Sequence, residues 1–162
     1  MLFLSTPLNN LPCNISSDKY LIGSEDKLEL SMNITNEGED AYEAALYVHL
    51  PQHVSYIKTE MIGTNPSEMV SVLCSPPTLE NDFVLKCDLG NPMMAFSMTS
   101  LKILLKPNIN DGNSAMPIQI KLAANSSNPE LTTSLDDNQV DLNIPVYVET
   151  DFVIRGLSDP DP

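Results

Sequence analysis

Lys27-Leu28-Glu29-Leu30-Ser31-Met32-Asn33-Ile34-Thr35 alternates apolar and polar side chains without a break. A period of two places Leu28, Leu30, Met32 and Ile34 on one face and the polar residues on the other, which predicts a half-buried strand. The same parity recurs in Tyr42, Ala44, Leu46, Val48 and Leu50, in Leu101, Ile103 and Leu105, and in Met116, Ile118, Ile120 and Leu122. It returns in Val140, Leu142, Ile144, Val146 and Val148. Shorter candidates are Val54 to Ile57, Val70 to Cys74, Phe83 to Cys87 and Phe152 to Ile154. Turn clusters separate them: Asn36-Glu37-Gly38-Glu39-Asp40, Gly63-Thr64-Asn65-Pro66, Gly90-Asn91-Pro92 and Asn108 to Asn113.

No long segment carries a 3.6-residue period, so the chain reads as all-β. Strands with one wet face are unsuited to a doubly covered parallel sheet, and an antiparallel two-sheet β-sandwich is the leading architecture. A closed barrel is the runner-up. Pro145 falls on the outward face of the Val140 to Val148 run and removes a ladder donor, so that strand is expected at an edge or with a bulge. The tail Ser158-Asp159-Pro160-Asp161-Pro162 has the composition of a linker.

The 162 residues carry 8 basic and 22 acidic side chains, a formal net charge of −14. Such a balance excludes the clustered cations of a nucleic-acid surface and disfavours anionic lipid. Hydrophobic residues at 42% supply a core for one ordinary domain. No apolar run reaches the roughly 18 residues of a membrane helix, and Met1 to Leu4 lacks the basic start and apolar length of a signal peptide.

Catalytic signals are lacking. His49 and His53 have metal-pair spacing only on a helix, and Pro51 between them belongs to a strand context, so both are expected as ordinary surface histidines. No nucleophile elbow or Gly-rich phosphate loop is present. Glu37, Glu39 and Asp40 share a turn and Asp136-Asp137 form another acidic pair, but neither has the alternating ligand spacing of a complete calcium loop.

Cys74 and Cys87 flank a loop containing Pro76-Pro77. Two readings of this pair stay open: a disulfide closing the hairpin, contributing about 3 kcal/mol in the chain-entropy model, or two buried thiols. Their spacing is shorter than that of an antibody domain, and there is no Trp. Cys13 remains odd. Three sequons, Asn14-Ile15-Ser16, Asn33-Ile34-Thr35 and Asn125-Ser126-Ser127, make Asn14, Asn33 and Asn125 candidate glycosylation sites and favour an extracellular setting.

Two stretches carry a family resemblance. Gly38-Glu39-Asp40-Ala41-Tyr42-Glu43-Ala44-Ala45-Leu46 and Leu85-Lys86-Cys87-Asp88-Leu89-Gly90-Asn91-Pro92-Met93 resemble the integrin alpha subunit in calf-1, the leg domain below its knee. Tyr20-Leu21-Ile22-Gly23 looks like the start of that domain's short second strand, and Phe152 to Pro160 like its junction with calf-2. The resemblance divides the chain into an atypical segment 1–19, a calf-1-like sandwich 20–156 and a linker 157–162.

The resemblance implies an immunoglobulin-like sandwich, an extracellular place on a plasma-membrane receptor, N-glycans, and a disulfide at Cys74 and Cys87. It implies non-enzymatic partners: an integrin beta subunit and neighbouring thigh and calf-2 domains. It also implies a knee Ca²⁺ in a full-length parent, held mainly by a small disulfide loop before calf-1 and by one acid at the position of Glu39; this chain alone is expected to hold no cofactor. The function so implied is that of a structural leg module in cell adhesion and signalling. From a different class, the alternative is a secreted or surface sandwich that binds carbohydrate or protein. Sugar-binding sandwiches usually expose aromatics, and here only Tyr47 and Tyr147 lie on polar parities.

Overall fold

In the computed structural model, which describes residues 2–5, 14–15, 19–22, 27–62, 72–109, 116–129 and 138–148, the alternating segments become strands. In chain order they are β1 (Leu2–Ser5), β2 (Asn14–Ile15), β3 (Tyr20–Ile22), β4 (Leu28–Asn36), β5 (Ala44–His49) and β6 (Val54–Met61). There follow β7 (Leu73–Ser75), β8 (Val84–Gly90), β9 (Met98–Pro107), β10 (Ile118–Asn125), β11 (Gln139–Ile144) and β12 (Val146–Val148). A 3-10 turn at Leu79–Asn81 lies between β7 and β8.

Two antiparallel sheets form. One has the order β1-β4-β9-β6, with β2 also on β4, and the other the order β11-β10-β5-β8-β7. Both have open edges, so the molecule is a two-sheet sandwich and not a closed barrel. The β4 alternation is realised fully: Leu28, Leu30, Met32 and Ile34 are buried while Glu29, Ser31, Asn33 and Thr35 are half-buried on the outer face. Opposite them Leu101, Ile103 and Leu105 of β9 turn inward in register. The facing sheet contributes Leu46, Val48, Leu85, Cys87, Leu89, Ile118, Ile120 and Leu122 to the same core. Burial of these side chains out of water supplies the main driving force for folding.

Pro145 ends β11, which is an edge strand. Beyond it β12 leaves that sheet and pairs in parallel with β3, and the Pro145 carbonyl accepts the Tyr20 amide at 2.9 Å. Lacking an N–H, proline cannot continue the ladder, yet its carbonyl still accepts.

Several details differ from the sequence reading. Tyr42 and Met116, assigned inward by parity, are exposed; they precede β5 and β10, where the pleat that gives parity its meaning has not begun. A register shift between Ala44 and Ala45 further breaks the phase before the strand proper. Residues 1–19, set apart in the sequence reading, contribute β1 and β2 to the first sheet, and Leu2 is fully buried. The expected strand at Phe152 to Ile154, the turns at Gly63 to Pro66 and Asn110 to Asn113, Asp136-Asp137, Cys13 and the linker 157–162 lie outside the described residues.

Candidate functional site at the Asn36 pole

Asn36 closes β4 on the inward parity, and its side chain is completely buried. A buried amide must be hydrogen-bonded, and this one organises two loops. Its Nδ2 donates to the carbonyls of Glu39 at 2.7 Å, Met93 at 3.0 Å and Met94 at 3.2 Å, while its Oδ1 accepts the Gly38 amide at 3.1 Å. The last of these is an Asx turn, the local bond that stops a strand and starts a reversal.

From that anchor the turn 37–43 is tied on both sides. Asp40 Oδ1 accepts the Ala95 amide at 2.8 Å, and Ala41 exchanges both backbone bonds with Met93. On the other flank Asn128 accepts the Tyr42 amide at 2.8 Å and donates to the Asp40 carbonyl at 3.0 Å. Ser127 adds two bonds to the Tyr42 carbonyl, and Asn91 accepts the Glu43 amide. Three loops, those after β4, β8 and β10, are thereby fixed into one end of the sandwich.

Glu39 lies in this fixed turn. Its carbonyl is held by Asn36 and its side chain is exposed beside the exposed Glu37. The same turn, the segment between β8 and β9 and the start of β9 expose the apolar side chains of Tyr42, Met94, Phe96 and Met98, with Phe96 the most open at 83%. An acidic turn flanked by open apolar surface is suited to contact with another protein body.

Calcium requires about six to eight oxygen ligands. Asp40 Oδ1 and both Asn36 side-chain atoms are committed to backbone, and the exposed carboxylates of the turn are those of Glu37, Glu39 and Glu43. Among the described residues no three acidic, histidine or cysteine side chains converge on a metal site.

The strand course places the first and last described strands with respect to this pole. Leu2 is opposite Asn36, so β1 enters beside the acidic turn. β11 starts at Gln139, opposite Ala123 near the pole, and runs to Ile144, opposite Ile118 at the far end, where β12 follows. The chain enters at one pole and leaves the described sandwich at the other.

The remaining singled-out residues are dispersed. Cys74 and Cys87 face each other across β7 and β8 and are joined by a disulfide. Asn33 is on the outer face of β4, where its Oδ1 accepts the Ser100 hydroxyl at 2.7 Å. Asn125 is exposed at the end of β10, and Asn14 pairs with Ser31 in β2. His49 is exposed; His53, expected at the surface, is partly buried in the turn before β6, where its Nε2 meets no partner. Asn36 was missed by the sequence reading, although a signal existed: it is the polar residue on an otherwise apolar parity.

Fold and pole define an immunoglobulin-like sandwich module with one end tied by hydrogen bonds across three loops. Residues 5–146 match the family model described as integrin alpha Ig-like domain 2, and the chain belongs to that family. It is 38% identical over 144 residues to integrin alpha-PS2 of Drosophila melanogaster, covering 89% of this chain and 10% of that protein. Against human integrin alpha-IIb it is 31% identical over 156 residues, covering 95% and 14%. The chain thus spans only a small part of the relatives it matches. Among solved structures, domains D2 and D3 of the major pilin SpaD from Corynebacterium diphtheriae superpose with a TM-score of 0.53 at 11% identity, over 82% of this chain and 48% of that one. That likeness concerns the fold alone. The integrin family match is to a non-enzymatic domain. No helix among the described residues is long and apolar enough to cross a membrane.

Proposed function

We propose that this chain is a leg module of an integrin alpha chain, spacing a ligand-binding head from the membrane and passing leg movement along during adhesion and signalling. The observation that carries the reading, within the family, is the axial course: the chain enters beside Glu39 and leaves from the opposite pole. A module threaded in this way lengthens a chain of domains, and its dry core resists bending while its ends act as joints. An integrin beta subunit and the thigh and calf-2 domains are the proposed neighbours, with the thigh domain against the Asn36 pole. Neither nucleic acid nor direct membrane insertion has a part in this role.

Glu39 would supply one carboxylate to a knee calcium whose other oxygens come from the segment before the sandwich. The ion would cross-link the two bodies electrostatically, and the hydrogen bonds of Asn36 and Asp40 hold the Glu39 turn ready for it. Glycans on Asn14, Asn33 and Asn125 belong to the same extracellular setting.

Membrane-impermeant biotinylation of intact cells, followed by capture of the integrin beta subunit, tests the reading. Peptides of this chain are expected in the labelled, captured fraction. Their recovery solely from the unlabelled intracellular fraction, without a beta subunit, would overturn it.

A further inference from the structure

A groove of about 540 Å³ opens on the outer face of the second sheet, lined by Tyr47, Lys86, Asp88, Gly90, Asn91 and Asn125 among others. That volume falls within the range of ligand clefts, about 300–1,000 Å³. Its shape follows from the strands. The small residues Ala44 and Gly90 pair at the bulged end of β5 and β8, leaving space that larger side chains would fill. Tyr47 pairs with Ala123, and Ala45 with Asn125, so Tyr47 and Asn125 stand on the same face as diagonal neighbours. Diagonal Cβ positions on adjacent strands lie about 7–8 Å apart.

Asn125 is the sequon asparagine on the groove's rim. Its Oδ1 accepts the Ser126 amide at 2.8 Å, which orients the side chain and leaves Nδ2 on the opposite side of the amide group. The Lys86 ammonium takes one face of the Tyr47 ring, 5.8 Å from the centroid, and Asp88 lies 4.0 Å from the same ammonium. An aromatic ring flanked by a cation, a carboxylate and an amide offers what a sugar needs: a flat apolar surface for its C–H face and polar groups for its hydroxyls.

We propose that the first two N-acetylglucosamine residues of an N-linked glycan on Asn125 dock in this groove against the ring of Tyr47. The inference rests on the extracellular reading above. In the attachment step Nδ2 of Asn125 bonds to C1 of the sugar and loses one proton. The C1–O bond to a lipid-linked pyrophosphate donor breaks, and the pyrophosphate leaves with the electron pair. Asp88, Lys86 and Asn91 then meet the hydroxyl and acetamido groups of the attached core, and the groove makes the glycan part of the sheet surface.

The test uses the full chain secreted from insect cells. Glycopeptide mass spectrometry is expected to find Asn125 occupied, and nuclear Overhauser contacts are expected between the N-acetyl methyl protons and the Tyr47 ring. Native release of the Asn125 glycan by peptide-N-glycosidase is expected to be at least ten-fold faster in Tyr47→Ala than in the unaltered chain. Absence of the contacts in the unaltered chain, release rates equal within two-fold, or occupancy at Asn33 or Asn14 without Asn125 would overturn the docking alone. A secreted chain bare at all three sequons would overturn the docking and the extracellular reading together.

Discussion

Asn36 and Met93, far apart in sequence, are joined by a 3.0 Å hydrogen bond from a fully buried amide to a backbone carbonyl. This contact makes the loops after β4 and β8 a single unit, and Glu39 is presented on that unit. Within the network that ties the pole, Asn36 is the side chain that never reaches the surface.

Asn36→Ala is expected to lower stability by about 3 kcal/mol, because it empties a fully buried site and removes at once its bonds to the Glu39, Met93 and Met94 carbonyls and from the Gly38 amide. Asn36→Asp should cost a similar amount, since a carboxylate cannot donate to those carbonyls. Urea denaturation measures both. A loss below about 0.5 kcal/mol in either variant would show that water replaces the network without penalty.

Gly90 has φ of +132°, and a Cβ there would approach the Pro92 carbonyl oxygen to 3.1 Å. Gly90→Ala is expected to destabilise by about 1–3 kcal/mol through backbone strain. Nearby Asn91→Ala serves as the comparison, its exposed side chain accepting the Glu43 amide. Comparable midpoints for the two variants would contradict the strain argument.

Peptide mapping without reduction is expected to recover Cys74 joined to Cys87. Replacing both by alanine should remove about 3 kcal/mol, the loop-closure entropy regained by the unfolded chain. Recovery of both residues as alkylated thiols from secreted material would refute the pairing.

The Glu60 carboxyl is held below the usual glutamate range by its hydrogen bond to the Lys58 ammonium and by that cation's charge, against the opposing effect of burial and with lesser help from Lys102 and Lys27. A depressed folded-state value means that the associated stability is present above the ordinary carboxyl range and is lost as pH falls through the folded value. NMR titration of Lys58→Ala is expected to move Glu60 upward. An unchanged midpoint would locate the cause elsewhere.

The strands were legible because the hydrophobic effect acts residue by residue. Leu28 to Ile34 need only alternate for one face to be buried, whatever the partner strand. Parity misled at Tyr42 and Met116, where an apolar residue continues the pattern past the strand's end and the pleat does not follow. Pairing between distant segments was less readable: nothing local in Tyr20 to Ile22 specifies a parallel partner in Val146 to Val148. At the pole, Glu39 was singled out through family resemblance, whereas the network that fixes its turn depends on Asn36, Asp40 and Asn128 meeting across three loops. The groove beside Tyr47 was hidden for the same reason, since it exists only where β5, β8 and β10 lie side by side.

The opposed placement of β1 and β12 has a mechanical consequence. A pull applied at Leu2 and at Val148 runs along β1 and β12, each hydrogen-bonded lengthwise to a neighbour, β4 and β3. The bonds are then loaded in shear, sharing the force, instead of being peeled one at a time. The domain is built to be stretched from end to end, and yielding should start where the ladders are shortest, at the three paired residues of β12.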